Sequence, residues 1–257
     1  MGIWDVYESR VCAQGKTKRE AVLFRTSRRL SEKLPDSLSY HNVIVDGEER
    51  SVIIDDSDNL NEKIMHSLPG EDFTCGGLVE WADNHWLITE KDANTELRTR
   101  VKLLQCNFLL KWIDSDHVIH EQWCVIEDGT KYLTGEYEDR DFFVTRGDSR
   151  IAMTIARNSD TVKFARNCRF LIDDPESSEM NAYLLTKPLK VGKTYNGHGI
   201  YSFVLQEVVS TDNDNFELGI ANYYLHFPKE NTSDIVDDKD DSSASDTGKK
   251  WWPSFRC

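Results

Sequence analysis

Residues 76–112, GGLVEWADNHWLITEKDANTELRTRVKLLQCNFLLKW, hold three of the chain's seven tryptophans and its clearest two-residue alternation. Every second residue from Leu104 gives Leu104, Cys106, Phe108, Leu110 and Trp112, all apolar; the interleaved Leu103, Gln105, Asn107, Leu109 and Lys111 are mixed. Side chains alternate faces along a strand, so the spacing predicts one long strand with those five residues in the core of a first β domain. Upstream, 78–81 and 86–89 are short apolar runs split by the polar break Ala82-Asp83-Asn84-His85, the pattern of a hairpin. A hairpin followed by a long strand is the centre of a small β-barrel or sandwich.

Toward the N-terminus, Val43-Ile44-Val45 and Val52-Ile53-Ile54 flank Asp46-Gly47, a hairpin signature because tight hairpin turns need positive φ. The segment DDSDNLNEKIMHSLPG predicts a short helix over about 59–66, closed by Pro69-Gly70. Its acidic start fails as a calcium loop: counted from Asp56, the sixth position is Asn61 rather than Gly, and the twelfth is not Glu. Residues 16–34, KTKREAVLFRTSRRLSEKL, fit a helix from about Thr17 that stops at Pro35. Two roles suit it: a solvated arm packed loosely on the body, or an arm that docks on a neighbouring subunit or a nucleic acid.

Toward the C-terminus, runs at 118–126 and 131–133 flank Asp128-Gly129, a further hairpin, and the acidic run 136–141 marks a junction. Apolar runs at 142–145, 151–156, 162–164, 169–172, 182–185, 194–195, 200–209 and 218–224 then predict a second set of strands, with a break at Pro175. The expected fold is all-β: two small β-barrel or β-sandwich domains, a short N-terminal helical arm and a disordered C-terminal tail. The corresponding division is a partly helical arm at 1–40, a first β-barrel domain at 41–135, a second β domain at 136–229, and an acidic linker with an aromatic terminus at 230–257.

Composition supports a folded body. Hydrophobic residues make up 39% and aromatics 11% of 257 residues, enough for a core. No apolar run reaches the ~18–20 residues of a membrane helix. The start MGIWDVYESR lacks the basic-then-apolar pattern of a signal peptide, so folding in a cytosol is expected. Cys12, Cys75, Cys106, Cys124, Cys168 and Cys257 are scattered without a C-x-x-C pair and read as free, mostly buried thiols. The net charge is −14, yet residues 16–33 set seven basic against two acidic side chains, and 231–248 set six Asp against one Lys. An acidic body argues against generic nucleic-acid affinity. The segment from Glu230 is Asp- and Ser-rich and predicted disordered. It ends in KKWWPSFRC, either a poorly ordered terminus or an aromatic plug for another subunit.

Motifs of catalysis are missing: the sequence contains no G-x-G-x-x-G, Walker A, H-E-x-x-H or G-x-S-x-G. His117 and His120 would point to opposite faces of a strand and could not chelate one ion. Arg146-Gly147-Asp148 is ordinary turn chemistry. Lys163, Phe164, Arg166, Arg169 and Phe170 interleave basic and aromatic residues as single-stranded nucleic-acid binders do, over a short span.

The words GGLVEWADNHWLI and LLQCNFLLKWI resemble a pattern of bacteriophage head–tail connector proteins of the head-closure, or stopper, type. In that pattern a tryptophan–turn–W-L-[IV] hairpin precedes a strand reading C-N-x-x-L-K-W. The matching residues here are Trp81 and Trp86, then Cys106, Asn107, Leu110, Lys111 and Trp112. Downstream, SRIAMTIARNSDTVKFARNCRFLIDD and AYLLTKPLKV resemble the second β domain of longer prophage versions. The resemblance spans about residues 1–229, although many stoppers are a single small barrel. It implies a structural, non-enzymatic virion protein, made in the bacterial host cytoplasm, without cofactor, metal or membrane. Such a protein forms a homo-oligomeric neck ring between the portal or adaptor and the tail terminator or tail tube, and retains packaged double-stranded DNA. The subunit-interface candidates are Lys18, Arg19, Arg25, Arg28, Arg29, Trp251 and Trp252. The competing readings are an OB-like single-stranded nucleic-acid-binding module and an all-β hydrolase.

Overall fold

The computed structural model describes residues 2–4, 6–7, 12, 14–93, 96–128, 149–174 and 180–228. Asp46 (φ 51°) and Gly47 (φ 83°) turn β1 (Tyr40–Val45) into β2 (Glu48–Asp56), with Val45 opposite Glu48. The same two-residue device joins β4 (Leu78–Trp81) to β5 (Asn84–Lys91), where Ala82 and Asp83 both take positive φ. With β3 (Glu62–Ser67) and β6 (Arg100–Gln105) these strands close a barrel in the order β1-β2-β3-β6-β5-β4. Val43, Val52, Met65, Val79, Trp86, Ile88, Val101 and Leu103 fill it.

Among the described residues the chain is mostly β, apart from a short N-terminal helix and small helical turns. The second sheet comprises β7 (Phe108–Ile113), β8 (Ile119–Asp128), β9 (Arg150–Ala156), β10 (Arg169–Leu171), β11 (Ala182–Leu189), β12 (Thr194–Tyr195) and β13 (His198–Val208). Its order is β10-β11-β13-β9-β8-β7, with β12 paired to β13. The end strands β7 and β10 come into contact, so this sheet is barrel-like too. Leu110, Trp112, Cys124, Met153, Ile155, Phe170, Phe203 and Leu205 pack inside.

The long strand expected across 104–112 is two strands. β6 turns Val101 and Leu103 into the first core, whereas β7 turns Leu110 and Trp112 into the second. Leu104 and Cys106 face a separate apolar layer between the barrels, and Phe108 packs on the second core. The alternation runs on in phase because each of these surfaces is apolar. At the switch, the Asn107 side chain takes the place of a backbone. Its amide donates to the Ile126 carbonyl (2.7 Å), and its oxygen accepts from the Ile126 N–H (2.8 Å). The change of sheet therefore falls at Cys106-Asn107, well before residue 135, where the sequence reading ended the first barrel domain.

Three further expectations are corrected. Residues 59–66 do not form a helix: Glu62–Ser67 is β3, hydrogen-bonded to β2 and β6 on its two edges, with Met65 and Ser67 buried. Residues 162–164 are not a strand: Val162 and Lys163 lie in the 3-10 turn Thr161–Lys163, and Phe164 caps its end. Residues 218–224 make one isolated bridge (Asn215 to Ile220) and lead into a single helical turn, Tyr223–His226. In each case a short apolar run left local pattern undecided, and tertiary partners set the backbone. The expected elements at 131–133, 136–141 and 142–145, the Arg146-Gly147-Asp148 turn and the 230–257 tail lie outside the described residues.

The layer between the barrels consists of Cys75, Leu87, Cys106, Val125, Ala156 and Ile200, flanked by Leu78, Leu104 and Trp123. There the backbones nearly touch: a Cβ on Gly76 would sit 2.1 Å from the Gly199 carbonyl oxygen. His85 stacks on Trp123 at 4.1 Å and Lys193 pairs with Glu90 at 2.6 Å, both across the same boundary. Asn107→Ala is expected to cost about 1–2 kcal/mol in urea unfolding. Asn107→Asp should cost at least as much, because a carboxylate cannot donate to the Ile126 carbonyl. Wild-type stability in both variants would exclude Asn107 as the clasp of the joint.

Candidate functional site

The basic segment folds as the helix its ends specify. Thr17 caps α1 (Lys18–Lys33) by accepting from the Glu20 N–H (3.2 Å), and the Glu20 carboxylate accepts in return from the Thr17 N–H (3.4 Å), a capping box. Pro35 sits in the 3-10 turn Leu34–Asp36 that follows. α1 buries none of its residues; Val22 and Phe24 are exposed at 54% and 48%.

Helical spacing separates the five basic candidates. Lys18, Arg25 and Arg29 fall at i, i+7 and i+11, one stripe that also carries Val22. Arg25 Nε donates to Gln14 Oε1 (2.6 Å). Arg28 is engaged along the helix by Glu32 (2.9 Å). Arg19 reaches the first barrel and pairs with Glu96. The structure thus brings Lys18, Arg25 and Arg29 together and sets Arg19 and Arg28 to other tasks. Trp251 and Trp252 lie outside the described residues.

A second polar cluster lies at the β7–β8 turn. Asp114 Oδ1 accepts from the N–H groups of Asp116 (2.8 Å) and Val118 (3.2 Å), which shapes the turn in which His117 takes φ 61°. Asp114 Oδ2 lies 3.1 Å from both His120 Nε2 and Lys163 Nζ, and His120 Nδ1 lies 3.5 Å from Asp160. Trp112 stacks on the His120 ring at 5.4 Å. His120 and these hydrogen bonds hold the Asp114 carboxyl well below the usual carboxylate range, and Asp114 in turn raises Lys163. His117 sits off the strand, so the two-face argument for His117 and His120 is replaced by a different pairing. His117 Nδ1 approaches His226 Nδ1 at 2.8 Å, tying this turn to Tyr223–His226. Nothing in the local sequence announces a partner 109 positions away. Among the described residues, no group of three or more His, Cys, Asp or Glu could hold a metal ion.

The interleaved set in the second half offers no base-stacking face. Phe164 and Phe170 are 3% and 1% exposed inside the second core, Lys163 faces Asp114, and Arg169 pairs with the buried Asp214 at 2.8 Å. The five described cysteines are free, and burial pushes the Cys106 thiol up to about 12 and raises Cys75 and Cys124 as well. These three are neutral thiols at neutral pH, far from nucleophilic thiolates. Among the described residues no helix is long and apolar enough to cross a membrane. Comparison of the chain with protein-family models, curated proteins and solved structures returned no match.

The Asp114 network has a pH signature. A carboxylate whose folded pKa is depressed stabilises the fold fully above its unfolded value of about 3.9, and that contribution fades as the pH falls toward the folded value. Asp114→Asn should therefore lower the urea midpoint near neutral pH and flatten its decline below about pH 4. Parallel wild-type and variant curves across that window would show that Asp114 is not a contributor.

Proposed function

We propose that this chain is a structural, non-enzymatic subunit of a bacteriophage neck ring, placed between the portal or adaptor and the tail, where it helps retain packaged DNA. The observation that carries the reading is the resemblance at Trp81, Trp86 and Cys106-Asn107-x-x-Leu110-Lys111-Trp112. In this protein Trp81 and Trp86 belong to the β4–β5 hairpin, Cys106 and Asn107 to the joint between the barrels, and Leu110, Lys111 and Trp112 to β7 of the second sheet.

A closed ring needs two different, complementary patches on each subunit. The capped helix α1 supplies one. It buries no side chain of its own and presents Lys18, Arg25 and Arg29 beside the exposed Val22. The acidic remainder of a −14 chain supplies the other, and the attraction steers docking more than it adds affinity. Trp251 and Trp252 provide aromatic anchors of the kind that dominate interface energies. The burial of Phe164 and Phe170 weighs against the single-stranded nucleic-acid alternative.

Deleting the gene from the phage and imaging the lysate tests the proposal. Filled heads without tails, or heads that have leaked DNA, are the expected products. Complementation with Lys18→Glu/Arg25→Glu/Arg29→Glu should leave the protein folded yet restore few or no infectious particles. Normal tailed particles from the deletion, or turnover of a sugar or nucleotide substrate by the pure protein, would overturn it.

A further inference from the structure

We infer that the cleft between α1 and the outer face of the first barrel is a binding site for a phosphate group, assembled by Arg98, Arg100 and His66. β3 and β6 place His66 directly opposite Arg100. Their neighbours Met65 and Val101 fill the core, so both of these side chains point outward, and Arg98 shares the face two residues earlier. All three line a cleft of about 440 Å3 whose apolar wall is Leu23 of α1 and Leu97. That volume lies within the ~300–1,000 Å3 of small-molecule sites.

The charge pattern singles out this place. The other basic residues of the barrel are paired: Arg50 with Glu48, Lys63 with Asp56, Lys91 with Asp72 and Lys102 with Glu62. Among the described residues Arg98 and Arg100 have neither an ion pair nor a side-chain hydrogen bond, in a chain with 45 acidic side chains. Two carboxylates also line the cleft, Asp92 and Glu96, and Glu96 is taken by Arg19. His66 Nδ1 is buried without a hydrogen-bond partner, and its Nε2 is 3.5 Å from Asp55. Burial first, then Arg98 and Arg100, lower the His66 pKa against the opposing pull of Asp55.

Two guanidinium forks on one wall suit the oxygens of a phosphate, which accepts charge-assisted, bidentate hydrogen bonds. The phosphate has two sources with the same chemistry: a free or small organic phosphate, or the backbone of a nucleic acid. The site is independent of ring assembly.

The test uses the full chain with Arg98→Gln, Arg100→Gln and, as a control from a paired position, Lys63→Gln. Sodium phosphate is titrated at constant ionic strength against chloride, with melting temperature as the readout, and a short DNA duplex is titrated separately. Phosphate should raise the wild-type melting temperature in a saturable way. Each arginine variant should bind at least about tenfold more weakly, and Lys63→Gln should match wild type. Without phosphate the arginine variants should melt no lower than wild type, because they relieve repulsion; a clear loss of stability would make the arginines structural and overturn the site. Duplex binding that depends on both arginines would identify the backbone as the source, and a response to phosphate alone a small ligand. No saturable response to either probe, or equal responses in all variants, would overturn the proposal.

Discussion

The apolar layer between the two barrels is the constraint on which the rest of the structure depends. A β-sheet has two faces, and strands β5 and β6 are covered on both: Trp86, Ile88, Val101 and Leu103 fill the first barrel, while Leu87 and Leu104 look outward. Leu87 is fully buried on that outer side, a contribution of about 1.5–3 kcal/mol that exists only while the second sheet is in place. Val125, Ala156 and Ile200 meet it from β8, β9 and β13. The contact is close enough for Gly76 and Gly199 to meet backbone to backbone, where any side chain would intrude. Cys106 and Asn107 lie at this boundary, so the chain crosses from one sheet to the other through the layer that joins them.

Charge is organised around this body in a consistent way. The molecule as a whole is acidic, and most basic side chains of the first barrel are spent on local carboxylates. The face carrying Arg98 and Arg100 lies beside α1, which carries Lys18, Arg25 and Arg29. Arg19 and Glu96 fasten the helix there with an exposed ion pair, which contributes little energy on its own. The Asp114 network and the His117–His226 contact hold the β7–β8 turn to neighbouring loops.

Much of this was determined by the sequence alone. Asp46-Gly47 dictated a hairpin, Thr17 and Glu20 began the helix, Pro35 ended it, and the density of short apolar runs required an all-β body. These features rest on φ/ψ preferences and hydrogen bonds within a few residues, which need no distant partner. Only tertiary structure decided the rest. The run from Leu104 to Trp112 has one unbroken period, yet it belongs to two sheets, because an apolar residue looks the same in sequence whether it faces a core or a neighbouring barrel. Glu62–Ser67 became a strand because β2 and β6 lay on its edges to receive its backbone. Arg98 and Arg100 were unremarkable in a line of letters; their lack of carboxylate partners, and the meeting of His117 with His226, depend on long-range contacts that no local pattern encodes.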